Sequence, residues 1–285
     1  LLIFVHTKSS ILSRTFMQDI CGTLIRAILF IEGIYAYGEK IEEDLSSNLY
    51  SMVVAELDFI LPVFDAHIEA MSNQIYRSDK YTETREKGIR WLGIAKKETG
   101  LKIITEVMEE KYLDLICEVA DILQIGSRNM QNYPLISAAA KTKKPLMIKR
   151  HFGASLRDWL GAAEYALYEG NEKIILCERG VTVPHTHRDS SRFLLDLQVV
   201  PAAKEITHLP IAVDPSHATF WRPWVAPMSL ASVAAGADSI MLEVHPDPEN
   251  SAVDPLQPID FNSFTKLMRS MDKVAHINGK HILNV

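Results

Sequence analysis

The chain has 285 residues, 47% of them hydrophobic and 23% charged, with a formal net charge of −6. Those proportions are near globular averages and exclude wholesale disorder. The mild acidity excludes a generally basic surface of the kind that binds nucleic acid without sequence preference.

Taken in chain order, the first hundred residues carry helical patterns over 13–31, 42–57 and 65–76 and weak strand candidates at 27–35 and 59–64. The opening run Leu-Leu-Ile-Phe-Val is too short for a secretory leader. No apolar run reaches the roughly 18 residues of a membrane span; the longest, around 24–35, is cut by Arg26 and Glu32. From residue 89 the text becomes regular. Short β-branched runs at 102–107, 122–125, 145–149, 173–177, 211–213 and 239–244 alternate with helical stretches at 109–120, 156–169 and 227–236. Such βα units specify a parallel sheet. Six strands in this region, with two more expected in the first hundred residues, predict an α/β fold of the (β/α)8 TIM-barrel type, its first two strands irregular and preceded by an extra helix. The expected division is a divergent segment 1–87, supplying helices and the first strands, and a barrel 88–285.

A barrel builds its active site at the C-terminal ends of its strands. Here the runs end in Thr105-Glu106, Gly126-Ser127-Arg128-Asn129, Lys149-Arg150, Glu178-Arg179-Gly180, Asp214-Pro215-Ser216-His217 and Glu243-Val244-His245. Arg128, Lys149 and Arg179 stand on successive strand ends. Cations gathered in one pocket repel one another unless an anion neutralises them, and arginine forks match phosphate and carboxylate geometry. The competing reading is three solvated cations paired with neighbours such as Glu106 and Glu178. His217 and Glu243 are about one βα unit apart, and Asp254 follows in the loop after the last run. One imidazole and two carboxylates suit a divalent ion such as Mn²⁺, Fe²⁺, Co²⁺ or Zn²⁺; the alternative is a hydrogen-bonded histidine without a metal. His185 and His187 fall in a loop and read as surface. Cys117 and Cys177 read as packed side chains. With Cys21 they make three scattered cysteines, which argues against a disulfide scaffold and fits a reducing, cytoplasmic compartment.

These residues carry a family resemblance. Gln124-Ile-Gly-Ser-Arg-Asn-Met-Gln-Asn132, Ile148-Lys-Arg150, Ile175-Leu-Cys-Glu-Arg-Gly180, His208-Leu-Pro210, Val213-Asp-Pro-Ser-His217 and Glu243-Val-His-Pro-Asp-Pro248 occur in order. Over about 88–270 the chain resembles 3-deoxy-D-arabino-heptulosonate-7-phosphate synthase, and is similar also to 3-deoxy-manno-octulosonate-8-phosphate synthase. The resemblance implies a metal-dependent, aldol-like condensation of phosphoenolpyruvate with erythrose 4-phosphate that releases phosphate, the first step of the shikimate pathway. It implies Arg128, Lys149 and Arg179 as phosphoenolpyruvate-binding cations, with Glu178 beside them at the substrate. It implies His217, Glu243 and Asp254 as three of four metal ligands, and Lys149 and His217 as the catalytic pair. A homo-oligomer is expected by the same analogy, and neither a nucleic acid nor a membrane is expected as a partner.

The first 87 residues depart from the family. Its Gly-Pro-Cys, whose thiolate is the fourth ligand, is absent; the nearest positional candidate, Tyr37-Gly38-Glu39-Lys40, offers an ammonium, which cannot ligate a metal. Its Lys-Pro-Arg-Thr is absent as well, with only Tyr76-Arg77-Ser78-Asp79-Lys80-Tyr81-Thr82 of similar residue types. After His217 the family's Gly-rich Arg-Arg-Asp is replaced by Phe220-Trp221-Arg222-Pro223. The alternative function is therefore a catalytically impaired relative that keeps the pocket and serves as a ligand-binding or regulatory barrel.

Overall fold

In a computed structural model of the protein, residues 2–7, 78–184, 187–188, 193–251 and 254–282 are described. The helical patterns over 13–31, 42–57 and 65–76, the strand candidates at 27–35 and 59–64, the Tyr37–Lys40 tetrapeptide, Cys21 and His185 lie outside them.

Among the described residues the first strand is β1 (Leu2–Thr7) and the first helix is α1 (Ser78–Thr99). Helix α1 runs through both residue 87 and residue 88, and the Ser78–Thr82 stretch lies in its first turns rather than at a strand end. The parallel series then begins with β2 (Ile104–Glu106), a 3₁₀ turn (Glu110–Tyr112) and α2 (Leu113–Cys117). It continues with β3 (Ile122–Ile125), α3 (Tyr133–Lys141), β4 (Leu146–Lys149), α4 (Leu156–Tyr168) and β5 (Ile174–Glu178). The last units are α5 (Val199–Ile206), β6 (Ile211–Val213), α6 (Pro215–Thr219), α7 (Arg222–Ala234) and β7 (Ser239–Met241). Helix α8 (Phe261–Ile277) and β8 (Lys280–Ile282) close the described chain.

Strands β2 to β7 pair in parallel and in sequence order, six strands of the barrel arrangement. One departure from the uniform (β/α)8 pattern concerns β1. It pairs antiparallel, first with β7 through Leu2–Phe4 and then with β8 through Val5–Thr7. A strand there covers the edge of β7, whose N–H and C=O groups would otherwise lack ladder partners.

Strands β4 and β5 are buried along their whole length. Parallel strands covered on both faces need apolar side chains at every position, so Leu-Met-Ile-Lys and Ile-Ile-Leu-Cys-Glu show no alternation until the polar end. Trp159 of α4 is fully buried and donates its indole N–H to Ile148 O at 3.0 Å, which fixes that helix on β4. Ser155 and Asp158 form a capping box at the start of α4.

The expected runs 122–125 and 211–213 are strands as read. The run 239–244 stops at Met241 because the chain then turns toward α8, leaving only a single bridge between Val244 and Ile259. The expected helix 227–236 is the second half of α7, which starts five residues earlier and passes through Pro227. Proline removes one hydrogen bond there; the helix continues because tertiary packing holds it, with Val225, Ser229 and Val233 buried.

Candidate functional site

The centre of the site is the turn that leaves β6. Asp-Pro is a helix-start signal: the carboxylate caps, and proline suits the first helical position because its missing N–H would have had no partner. Asp214 Oδ1 accepts the His217 backbone N–H at 3.1 Å and so starts α6. Phe220, left-handed at φ 53, ends it after one turn. That turn is so short that His217 stays at the strand end. Asp214 is fully buried, and its Oδ2 lies 2.7 Å from Lys149 Nζ and 2.8 Å from His217 Nδ1. On the far side of the ring, His217 Nε2 lies 3.0 Å from Glu243 Oε1. Ser216 Oγ accepts the Glu243 backbone N–H at 3.1 Å, which ties the end of β7 to the same turn. One chain of contacts thus runs Lys149–Asp214–His217–Glu243 across the ends of β4, β6 and β7.

The charges in that chain set one another. Burial by itself would push the Lys149 ammonium down, and the Asp214 carboxylate beside it more than offsets this, so it stays protonated above its ordinary value. Burial opposes ionisation of Asp214 as well, but His217 and Lys149 overcome it and hold the carboxyl below the usual carboxylate range. The His217 ring is raised to about 9, its burial penalty outweighed chiefly by Asp214. Burial pushes the Cys177 thiol well up, so this residue on β5 is an inert packed side chain.

Arg128, Arg179 and Glu106 surround this chain. Arg128 is exposed on the 3₁₀ turn Ser127–Asn129 that follows β3. Burial lowers Arg179 from its ordinary value, and its Nη1 is buried with no hydrogen-bond partner among the described residues. Glu106, at the end of β2, is open to solvent by surface area yet flanked by enough protein that desolvation raises it, against the fields of Lys149, Arg128 and His217. Its carboxylate packs on Gly126, where a Cβ would collide with Oε1. Arg179 also lies in the fields of Arg128 and Asp214. These groups share one space at the strand ends.

Glu178 is arranged differently. It is fully buried, with Oε2 3.0 Å from Arg150 Nη1, while Oε1 accepts the Gly180 N–H at 2.7 Å and the Asp196 N–H at 3.4 Å. Arg150 Nη1 also meets Asp196 Oδ2 at 2.8 Å. Glu178 therefore braces the loop after β5 rather than pairing with Arg128, Lys149 or Arg179. Asp254, left-handed at φ 47, lies in the loop after β7, where its carbonyl accepts the Gln257 N–H at 3.1 Å. Among the described residues no three His, Cys, Asp or Glu side chains converge in a metal-binding group, so His217 and Glu243 come together and Asp254 does not join them. As two donors the pair fits a divalent ion: imidazole Nε2 and a carboxylate oxygen face each other, and Asp214 holds the other ring nitrogen in the manner that orients metal-ligating histidines. His187 packs edge-on against Trp224 with ring centroids 6.4 Å apart.

Sequence reasoning listed Asp214 and Arg150 among the strand-end polar groups without giving either a role, and passed over Asp196. The Asp-Pro cap signal marks a helix start at Asp214, and only the structure shows that the carboxylate is buried. No local signal marks Asp196, whose contact with Arg150 spans 46 residues.

Six parallel strands with cations and a histidine–carboxylate pair at their C-terminal ends define a (β/α)-barrel protein with a charged rim. The family model described as the DAHP synthetase I family matches residues 83–278, and the chain belongs to that family. It is 43% identical over 194 residues to phospho-2-dehydro-3-deoxyheptonate aldolase of Thermotoga maritima, covering 68% of this chain and 56% of that protein. It is 32% identical over 180 residues to 2-dehydro-3-deoxyphosphooctonate aldolase of Acinetobacter baylyi, covering 59% of this chain and 61% of that one. The chain thus spans somewhat over half the length of these relatives. A crystal structure of the Thermotoga maritima DAHP synthase superposes with a TM-score of 0.66 at 42% identity, over 70% of this chain and 57% of that one. A truncated form of the 3-deoxy-D-arabino-heptulosonate 7-phosphate synthase from the same organism gives the same TM-score and covers 74% of that chain. No described helix is long and apolar enough to cross a membrane.

Proposed function

We propose that this protein condenses phosphoenolpyruvate with erythrose 4-phosphate and releases inorganic phosphate, the 3-deoxy-7-phosphoheptulonate synthase reaction. The observation that carries the reading is the Lys149–Asp214–His217–Glu243 chain, set beside Arg128 and Arg179 in a member of the DAHP synthetase I family. C3 of the enol forms a bond to the aldehyde carbon, water supplies oxygen at C2, and phosphate departs to leave the ketone. Arg128, Lys149 and Arg179 would hold the phosphate and carboxylate of phosphoenolpyruvate, bringing two anions to reacting distance that would otherwise repel. Asp214 would keep Lys149 charged when the site closes over substrate. Glu178 acts by bracing the turn that presents Arg179.

A divalent ion would be held by His217 and Glu243, with Asp254 as a third ligand from its loop; when bound it polarises the aldehyde carbonyl. We propose the first 87 residues as the divergent segment that supplies helices and the first barrel strands, with 88–285 carrying the active-site motifs. A homo-oligomer in the cytoplasm is part of the same proposal and is checked by analytical ultracentrifugation.

The test is phosphate release by the purified 285-residue chain with Mn²⁺ and both substrates, against His217→Ala. Activity above that control supports the synthase. Saturable phosphoenolpyruvate binding with no turnover would instead favour the ligand-binding barrel.

A further inference from the structure

The loop that leaves β5 is fastened at its base. Gly180 turns it with φ +97, a conformation that L side chains rarely adopt. Val181 and Leu194 exchange backbone hydrogen bonds at 2.9 Å in each direction, and the Thr182 N–H donates to Phe152 O at 2.7 Å. Asp196, at the returning end, is held by Arg150 and Glu178. Between these anchors stands Phe193. Its ring lies with its centroid 4.4 Å from Arg179 Cζ and 5.6 Å from the ring of Phe152. A Cβ at Gly180 would lie only 2.8 Å from Phe193 Cβ, so the missing side chain makes the space that lets the phenyl group reach the guanidinium.

We infer that Phe193 is the positioning residue for Arg179: its ring covers the guanidinium and aims the unpartnered Nη1 into the anion pocket. This rests on the proposed role of Arg179 in binding phosphoenolpyruvate. An aromatic face attracts a cation within about 6 Å of its centroid, most strongly when water is excluded. It offers no hydrogen-bond acceptor, so the guanidinium keeps its donors for an anion. A carboxylate in the same place would hold Arg179 as firmly but consume those donors and cancel the charge. The ring also strips water from the cation, which strengthens its attraction to an incoming phosphate or carboxylate. Arg150 also faces an aromatic ring, its Cζ 5.9 Å from the Trp159 centroid, but Glu178 and Asp196 both pair with its Nη1 and its Nε–H goes to Ala154 O at 2.9 Å. The two neighbouring arginines thus divide the work, one paired with carboxylates within the fold and the other kept available.

The experiment is calorimetric titration of phosphoenolpyruvate into metal-free protein carrying Phe193→Leu or Phe193→Tyr. Loss of the aromatic face in Phe193→Leu is expected to weaken binding by about three- to thirtyfold. Phe193→Tyr is expected to bind within about twofold of wild type, because the ring is retained. Leucine binding as tightly as wild type would overturn the inference, as would tyrosine binding no better than leucine. Wild-type protein that does not bind phosphoenolpyruvate at all would overturn the anion-pocket reading and this inference with it, an outcome separate from the other two. Where the leucine variant does not fold, protein labelled with 4-fluorophenylalanine supplies the second measurement. The Phe193 resonance, assigned with Phe193→Tyr, is expected to shift on saturation with phosphoenolpyruvate in wild type and to stay put in Arg179→Gln. No shift in wild type would overturn the inference.

Discussion

Replacing Asp214 with asparagine keeps the shape of a fully buried side chain and removes its charge. Lys149 Nζ then loses its carboxylate partner at 2.7 Å and His217 Nδ1 loses its own at 2.8 Å. Removing one partner of a buried ion pair costs about 3–5 kcal/mol, because the remaining charge stays desolvated and uncompensated. The lysine side chain is only 8% exposed, while the His217 side chain keeps 29% of its surface, so water screens part of the loss. That places the expected destabilisation near 3 kcal/mol, the lower end of the same range. The pH dependence follows from the two shifts. His217 is raised from 6.5 to about 9, so its contribution is complete below 6.5 and is lost as pH climbs through 9. Asp214 is depressed from its ordinary 3.8, so its contribution is complete above that value and fails only as pH falls toward the folded one. The gap between wild type and Asp214→Asn should therefore be widest at about pH 5–6 and narrow by about pH 9.5. Urea unfolding in EDTA, followed by tryptophan fluorescence, measures it. A gap under about 1 kcal/mol at pH 6 would refute the reasoning, as would one that does not narrow with rising pH. Adding Lys149→Met to Asp214→Asn should restore stability, since it removes the stranded ammonium; a double variant no more stable than the single would count against that cause.

Three further expectations concern the neighbours. Gly126→Ala should displace the Glu106 carboxylate while costing under about 1 kcal/mol of stability, because Gly126 has ordinary φ −65 and only a side-chain end must move; unfolding and phosphate-release assays together should show activity falling more than stability. Gly180→Ala should cost about 1–3 kcal/mol, since alanine at φ +97 is strained and its Cβ meets Phe193, and thermal unfolding measures the loss. Arg150→Met should leave the buried Glu178 uncompensated and destabilise the protein by about 3 kcal/mol. Phosphoenolpyruvate binding in the folded fraction should weaken too, and an unchanged affinity in calorimetry would detach Glu178 from Arg179.

Much of the parallel sheet was legible because buried parallel strands are written as uninterrupted apolar runs. Runs at 122–125 and 211–213 coincide with β3 and β6, and 145–149 and 173–177 are within one residue of β4 and β5 at each end. Helix boundaries were less legible. Pro227 reads as a helix start, yet α7 passes through it, because packing of Val225 and Val233 outweighs one lost hydrogen bond. The antiparallel course of β1 was not legible at all, since strand direction is set by the partner and not by the strand's own residues. In the site, Lys149 and His217 could be read as strand-end polar groups. Asp214 was legible in the same way, but not as their common partner.

By itself the sequence determined which side chains stand at the ends of the strands, because the βα period and the strand-end position are local properties of the chain. It also determined the helix start at Asp214-Pro215, a matter of backbone chemistry over a few residues. Only the tertiary structure decided the pairings. Lys149 goes to Asp214 across 65 residues and Glu178 to Arg150, and Phe193 rather than a carboxylate lies over Arg179. The physical reason is that the cost of burying a charge depends on what lies within a few ångströms in space. Sequence separation carries no information about that distance once the sheet has brought remote strand ends together.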